Sequence, residues 1–174
     1  MTRHATDPGH GSREHGPRIV SFSEPHAAAV LELIGAVFAE YAMTFEPSGY
    51  DVDLTAIHDH YFALGGWFAL LLDAGQVVGT AAVVPKDAAV CELKRLYLRP
   101  EYRGRGHGAA LLDAVLAWAA AHGFRTIVAW SDARLPLAHR MYERLGFQRF
   151  GERVADDVDR SREYGFRRPV GGAP

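Results

Sequence analysis

The sequence predicts an α/β chain of the α+β kind, with a mixed, mostly antiparallel central sheet of about seven strands flanked by four helices. Three observations predict it. Apolar residues switch between a helical period and short β-branched runs, giving the order β-α-α-β-β-β-α-β-α-β-β. The turn Asp73-Ala74-Gly75-Gln76 joins two such runs as a hairpin. The chain has 174 residues, 48% hydrophobic and 23% charged, which suits one domain able to bury a core without disulfides or metal.

In chain order, Ile19, Val20 and Phe22 form a first strand, stopped at Ser23-Glu24-Pro25. Ser23 as cap and Pro25 in the first turn open a helix to about Tyr41, with Val30, Leu31, Ile34, Val37 and Phe38 on its apolar stripe. Asp53 opens a second helix carrying Leu54, Ile57, Tyr61 and Phe62, closed by Gly65-Gly66. Strands follow at 67–72, 77–84 and 88–98. A long helix over 106–122 bears Leu111, Leu112, Val115, Leu116 and Trp118, and Gly123 caps its end. A buried strand at 126–130 precedes a helix from Pro136 to Leu145, stopped by Gly146; strands at 147–154 and 163–168 close the domain. The expected division is a His- and Gly-rich flexible tail over 1–17, one domain over 18–170 and a short tail over 171–174.

The net charge of −2 provides no global basic field for nucleic acid or an anionic membrane, and no apolar run reaches the ~18–20 residues that span a bilayer. The single cysteine, Cys91, excludes an internal disulfide, fits a reducing, cytoplasmic setting and reads as a core residue. His58-Asp59-His60 is no metal pair, because residues two apart on a helix face different ways, and no metal is expected.

The segment Arg103-Gly104-Arg105-Gly106-His107-Gly108 follows a strand and opens a helix. Glycines let the backbone approach a ligand, and the free N–H groups of a helix start attract an anion such as a pyrophosphate. Alone, the hexamer is equally a structural turn, and Gly104-x-Gly106-x-x-Ala109 also matches a dinucleotide-binding loop. Five residues, 99–103, separate strand from glycines, where a dinucleotide loop needs a tight turn.

The run over 96–108, with Arg103, Gly106 and Gly108 in an Arg-x-x-Gly-x-Gly pattern and Pro100 three residues earlier, resembles the acetyl-CoA segment of the GCN5-related N-acetyltransferases (GNAT). The segment over 138–147, Ala-His-Arg-Met-Tyr-Glu-Arg-Leu-Gly-Phe, resembles that family's second landmark. The resemblance covers 18–168 and implies a GNAT-like acyl-CoA N-acyltransferase fold, acetyl-CoA as acyl donor, and acetyl transfer to a primary amine by a direct ternary-complex route.

The resemblance further implies that backbone groups of Leu96, Tyr97 and Leu98 pair with the pantetheine arm, and that amides of Arg103, Gly104, Arg105, Gly106, His107, Gly108 and Ala109 hold the pyrophosphate. It makes Tyr142 the general acid and Glu92 the base, directly or through water; an ion pair with Lys94 or Arg95 weighs equally for Glu92. Strict alternation puts Glu92 and Lys94 on one face of their strand, and Leu93, Arg95 and Tyr97 on the other. One departure is Leu135, where many relatives carry an asparagine.

The acceptor side is expected over 38–61, with Tyr41, Phe45 and Glu46 foremost. Its carboxylates, Glu40, Glu46, Asp51 and Asp53, suit a cationic amine, either a small molecule or a protein lysine or N-terminus. A homodimer is open. The competing classes are a non-catalytic acyl-CoA-binding or sensing module and a dinucleotide-binding oxidoreductase.

Overall fold

The computed structural model describes residues 16–171; most of both expected tails, 1–15 and 172–174, lies outside the described residues. One seven-stranded sheet forms the middle layer, in the order β1-β2-β3-β4-β5-β7-β6. Its strands are β1 (Arg18–Ser21), β2 (Trp67–Asp73), β3 (Gln76–Pro85), β4 (Val90–Leu98), β5 (Thr126–Asp132), β6 (Gln148–Val154) and β7 (Arg162–Pro169). Every pairing is antiparallel except β4 with β5. One parallel pair is too few for a doubly wound sheet, so the dinucleotide reading fails on topology.

The β2–β3 turn has positive φ at both Ala74 and Gly75, the geometry that matches hairpin twist. One face of the sheet carries α1 (Ala27–Glu40), burying Val30, Leu33, Ile34, Val37 and Phe38 against Phe68, Leu70 and Ala82. The other carries α2 (His107–Ala121), burying Leu111, Leu112, Val115 and Leu116 against Leu71, Val83, Leu93 and Ile127. Tyr142 of α3 (Pro136–Arg144) belongs to this second cluster.

Two sequence expectations are corrected. Ser23 stands ahead of the first turn, but its hydroxyl meets the His26 ring at 2.9 Å instead of capping a backbone N–H. The second helix, expected to run from Asp53 to the glycine pair, shrinks to a turn at Val52–Leu54 and one wide turn at His58–Phe62. Asp53 does not cap it, because its carboxylate is held by Arg95 and Tyr61. A tertiary ion pair here outweighs local helix propensity.

The strand β4 positions the site. Between its pairs Tyr97↔Thr80 and Lys94↔Ala82, two β4 residues oppose the single Ala81, which makes a β-bulge. Arg95 takes φ +54 there, and its carbonyl accepts a hydrogen bond from the Thr80 hydroxyl at 2.7 Å. The extra residue shifts the phase of the strand by one. Cys91 and Leu93 before the bulge share the α2-side core with Leu96 and Leu98 after it. Arg95 therefore reaches the α1 side, together with Tyr97, and the strict alternation expected for this strand is wrong beyond Lys94.

Candidate active site

The strand pair β4–β5 is joined only from Val90↔Thr126 to Leu93↔Ala129. Beyond that point the strands part, and two cavities occupy the gap. The first, a cleft of about 250 Å³, is lined by Glu92, Lys94, Arg95, Tyr142, Asp132, Arg134 and residues of the segments after α1 and between β6 and β7. The second, a largely apolar groove of about 530 Å³, runs from Leu96, Tyr97 and Leu98 past Arg103, Gly104, Gly106, Gly108 and Ala109 to Met141 and Arg144. Leu96, Tyr97, Leu135 and Ala138 line both cavities, so the two meet at the end of β4 beside α3.

The glycine loop is built as its composition requires. Gly104 and Gly106 take φ of +71 and +86, a region that disfavours a side chain, and a Cβ on either would meet nothing. Gly106 is the N-cap of α2, no side chain caps the helix, and its first turn holds no acidic residue. The first amides of α2 thus point outward with the positive end of the helix dipole. Gly108 has a packing reason, since a Cβ there would sit 3.0 Å from the Met141 sulfur.

Of the residues expected to hold the donor, Leu96, Tyr97, Leu98, Arg103, Gly104, Gly106, Gly108 and Ala109 line the groove; Arg105 and His107 do not. His107 lies against the Tyr102 ring, at 5.8 Å between centroids. Arg103 spends its guanidinium inside the protein, on both Glu40 oxygens and on the Leu98 carbonyl at 3.0 Å. The Arg103 hydrogen bonds hold the Glu40 carboxyl below its ordinary value. Leu137, Met141 and Arg144 of the groove were missed in the sequence, as was Val37; helical spacing marks them only as one face of a helix.

Tyr142 is 5% exposed and packs against Phe147 and Phe166. Its hydroxyl has no partner among the described residues, yet no buried side-chain nitrogen or oxygen among them lacks one. The hydroxyl must therefore open onto the cleft that Tyr142 lines. Burial raises its pKa well above the usual tyrosine value, and the neighbouring Tyr97 adds to the rise. Glu92, also in the cleft wall, pairs with Lys86 of the β3–β4 turn at 3.1 Å rather than with Lys94 or Arg95.

On the acceptor side, none of Tyr41, Phe45 and Glu46 lines the cleft. Tyr41 lines the apolar groove, and Phe45 packs edge-on against Phe38 at 5.5 Å. Glu46 instead gives its backbone N–H to Asp51 at 3.0 Å. The carboxylates expected to attract a cation are mostly neutralised: Glu40 by Arg103, and Asp51 and Asp53 by the buried Arg95. Burial alone would raise the Asp53 pKa, but Arg95, with the Tyr61 hydroxyl donating, holds it below its ordinary value. A second clamp, unseen in the sequence, closes the far wall. Arg134 binds Asp132 at 2.7 Å, the Ala42 carbonyl at 2.8 Å and Asp159 at 3.2 Å, while the Thr44 amide and hydroxyl both donate to Asp159. Leu135 takes no polar role and forms part of the shared wall.

The model of the acetyltransferase (GNAT) family matches residues 33–147. The chain belongs to the GNAT family. This acetyltransferase is 30% identical over 126 residues to the uncharacterized N-acetyltransferase YjgM of Escherichia coli, covering 69% of this chain and 75% of that protein. It is 36% identical over 104 residues to the N-acetylaspartate synthetase of Danio rerio, covering 58% of this chain but only 36% of that longer protein. Its fold matches a phosphinothricin acetyltransferase from Sinorhizobium meliloti, solved in complex with acetyl-CoA, with a TM-score of 0.74 at 21% identity over 91% of both chains. This acetyltransferase is accordingly an acyltransferase enzyme.

Proposed function

We propose that the enzyme moves an acetyl group from acetyl-CoA directly to a primary amine within one ternary complex, the amine being carried by a small molecule or by a protein lysine or N-terminus. The observation that carries this reading is the junction of the two cavities, where Tyr142 and Glu92 line the cleft and Leu96 and Tyr97 line both cavity walls. An amine and an acyl donor entering from opposite sides would meet there without a covalent enzyme intermediate. Cys91, the single thiol of the chain, is fully buried and pushed up to about 11 by that burial, so it supplies no nucleophile.

The donor groove fits an acyl-CoA on its own terms. An uncapped helix start at Gly106 suits a pyrophosphate, and apolar walls of Leu98, Leu137 and Met141 suit an aliphatic arm. When bound, acetyl-CoA supplies a thioester carbon already activated for attack. The chain's residues then divide the proton work. Glu92, directly or through water, removes the proton of the incoming ammonium, freeing its lone pair to form the C–N bond. Tyr142 gives its hydroxyl proton to the sulfur as the C–S bond breaks, so the leaving group departs as a neutral thiol, and the second proton that the nitrogen sheds on becoming an amide restores the phenol. Backbone groups of Leu96, Tyr97 and Leu98 orient the donor arm, and amides of the loop residues that line the groove, Arg103, Gly104, Gly106, Gly108 and Ala109, hold its phosphates.

Initial rates measured while both acetyl-CoA and an amine are varied test the proposal. Intersecting reciprocal plots, with thiol release matching N-acetyl product formation one to one, are expected. Parallel plots, or thiol release independent of amine, would overturn direct transfer.

A further inference from the structure

Four cations line the acceptor cleft: Lys94, Arg95, Arg134 and Arg153. Arg95 is paired with Asp51 and Asp53, Arg134 with Asp132 and Asp159, and Arg153 with Glu163 at 2.6 Å. Lys94 alone of the four makes no ion pair or hydrogen bond among the described residues, although it is only partly exposed. The cleft's carboxylates are all partnered: the five named with a cation, Asp51, Asp132, Asp159, Glu163 and Glu92, and Asp157 with the Ser161 amide at 2.8 Å. The Lys94 charge acts at longer range on Asp53, which Arg95 and Tyr61 already hold, so among the described residues no carboxylate is in contact with its ammonium. A partly desolvated ammonium gains most from a carboxylate that arrives with the ligand.

Lys94 precedes the bulge and shares a strand face with Glu92, two residues away, at a spacing of about 7 Å along the strand. One acceptor can touch both side chains only if its amine and its anion lie a few bonds apart. The cleft's volume of about 250 Å³ falls below the roughly 300–1,000 Å³ of drug-sized sites, which favours a small acceptor. The Thr44–Asp159–Arg134 clamp ties the segment after α1 to the β6–β7 loop across the same cleft, leaving little room for a folded partner.

We infer that the acceptor is a free α-amino acid, its amine directed to Glu92 and its carboxylate to Lys94. This rests on the N-acetyltransferase reading and names the substrate class of that site. A protein lysine, whose side-chain amine lies far from any carboxylate of its own, would leave Lys94 unpaired.

The test compares matched acceptors with the full-length enzyme and saturating acetyl-CoA. L-amino acids are set against their decarboxylated amines and their carboxamides: phenylalanine with phenethylamine and phenylalaninamide, leucine with isopentylamine and leucinamide, and so on through the proteinogenic set, with a lysine-containing peptide alongside. At least one free amino acid is expected to exceed its amine and its amide in kcat/KM by about ten- to a hundredfold, the range of one charge-assisted hydrogen bond. In Lys94→Met that ratio should fall toward one, and Lys94→Arg should restore most of it. A wild-type enzyme that acetylates amines, amides or the peptide as well as or better than free amino acids overturns the inference while leaving the N-acetyltransferase reading intact. Acetyl-CoA binding without acetylation of any amine overturns both. The wild-type comparison decides the matter even if a Lys94 variant fails to fold.

Discussion

Tyr142 combines a buried ring with a hydroxyl that opens to the cleft, and the acid role proposed for it rests on that pairing. Because burial raises its pKa, the phenol keeps its proton through the neutral and moderately alkaline range. Replacing Tyr142 by Phe removes the proton donor and keeps the ring. The expected result is a fall in kcat of about a hundredfold or more, with the KM for acetyl-CoA nearly unchanged, read by thiol release. In the wild type, no alkaline loss of kcat should set in below the ordinary tyrosine value of about 10. The place of Tyr142 at the cleft was legible in the sequence because its position before Gly146-Phe147 repeats a family landmark. Lys94 and Arg134 were not, since a charged residue carries no sign of whether its partner is a neighbour, a distant loop or a ligand.

At the scale of elements, the bulge in β4 does the most to shape the site. It turns Arg95 toward the segment over 51–61, where Asp51, Asp53 and Tyr61 receive it. The cleft wall is thereby bolted to the strand whose far end lines the apolar groove. Removing one arm of a buried pair leaves the other charge uncompensated. Asp53→Asn should therefore lower Tm near neutral pH by several degrees, at about 2–4 °C per kcal/mol for a chain of this size. The sign with pH follows from the depressed folded-state pKa of Asp53. Its contribution is complete above the unfolded value of about 3.9 and is lost as pH falls through the lower folded value. Wild type should thus lose more Tm than Asp53→Asn on acidification below about pH 4, measured by calorimetry. Equal acid sensitivity would contradict the network's role. The sheet order, the hairpin and both long helices could be read from periodicity and turn residues. The bulge could not, because nothing in Lys94-Arg95-Leu96 marks a positive φ, and one missed residue reversed every face assignment after it. The second helix was misread for the same reason: its capping aspartate belongs to Arg95, forty-two positions away in sequence.

For the molecule as a whole, the sheet separates into two halves beyond Leu93 and Ala129, and the two cavities meet at that gap. No helix among the described residues is long and apolar enough to cross a membrane. The glycine loop carried the expectation of an acyl-CoA donor, since its spacing, the strand before it and Tyr142 after it all point the same way. The cleft stayed hidden, because it is assembled from stretches far apart in the sequence, and its charge balance exists only after they meet. Every step proposed for this enzyme requires acetyl-CoA in this gap. Thermal unfolding of the full chain with millimolar acetyl-CoA, and in parallel with NAD(H), tests it most directly. A ligand at about a hundred times its Kd adds roughly 2.7 kcal/mol, so acetyl-CoA should raise Tm by several degrees while NAD(H) leaves it unchanged. An unchanged Tm with acetyl-CoA, or an equal rise with NAD(H), would contradict it.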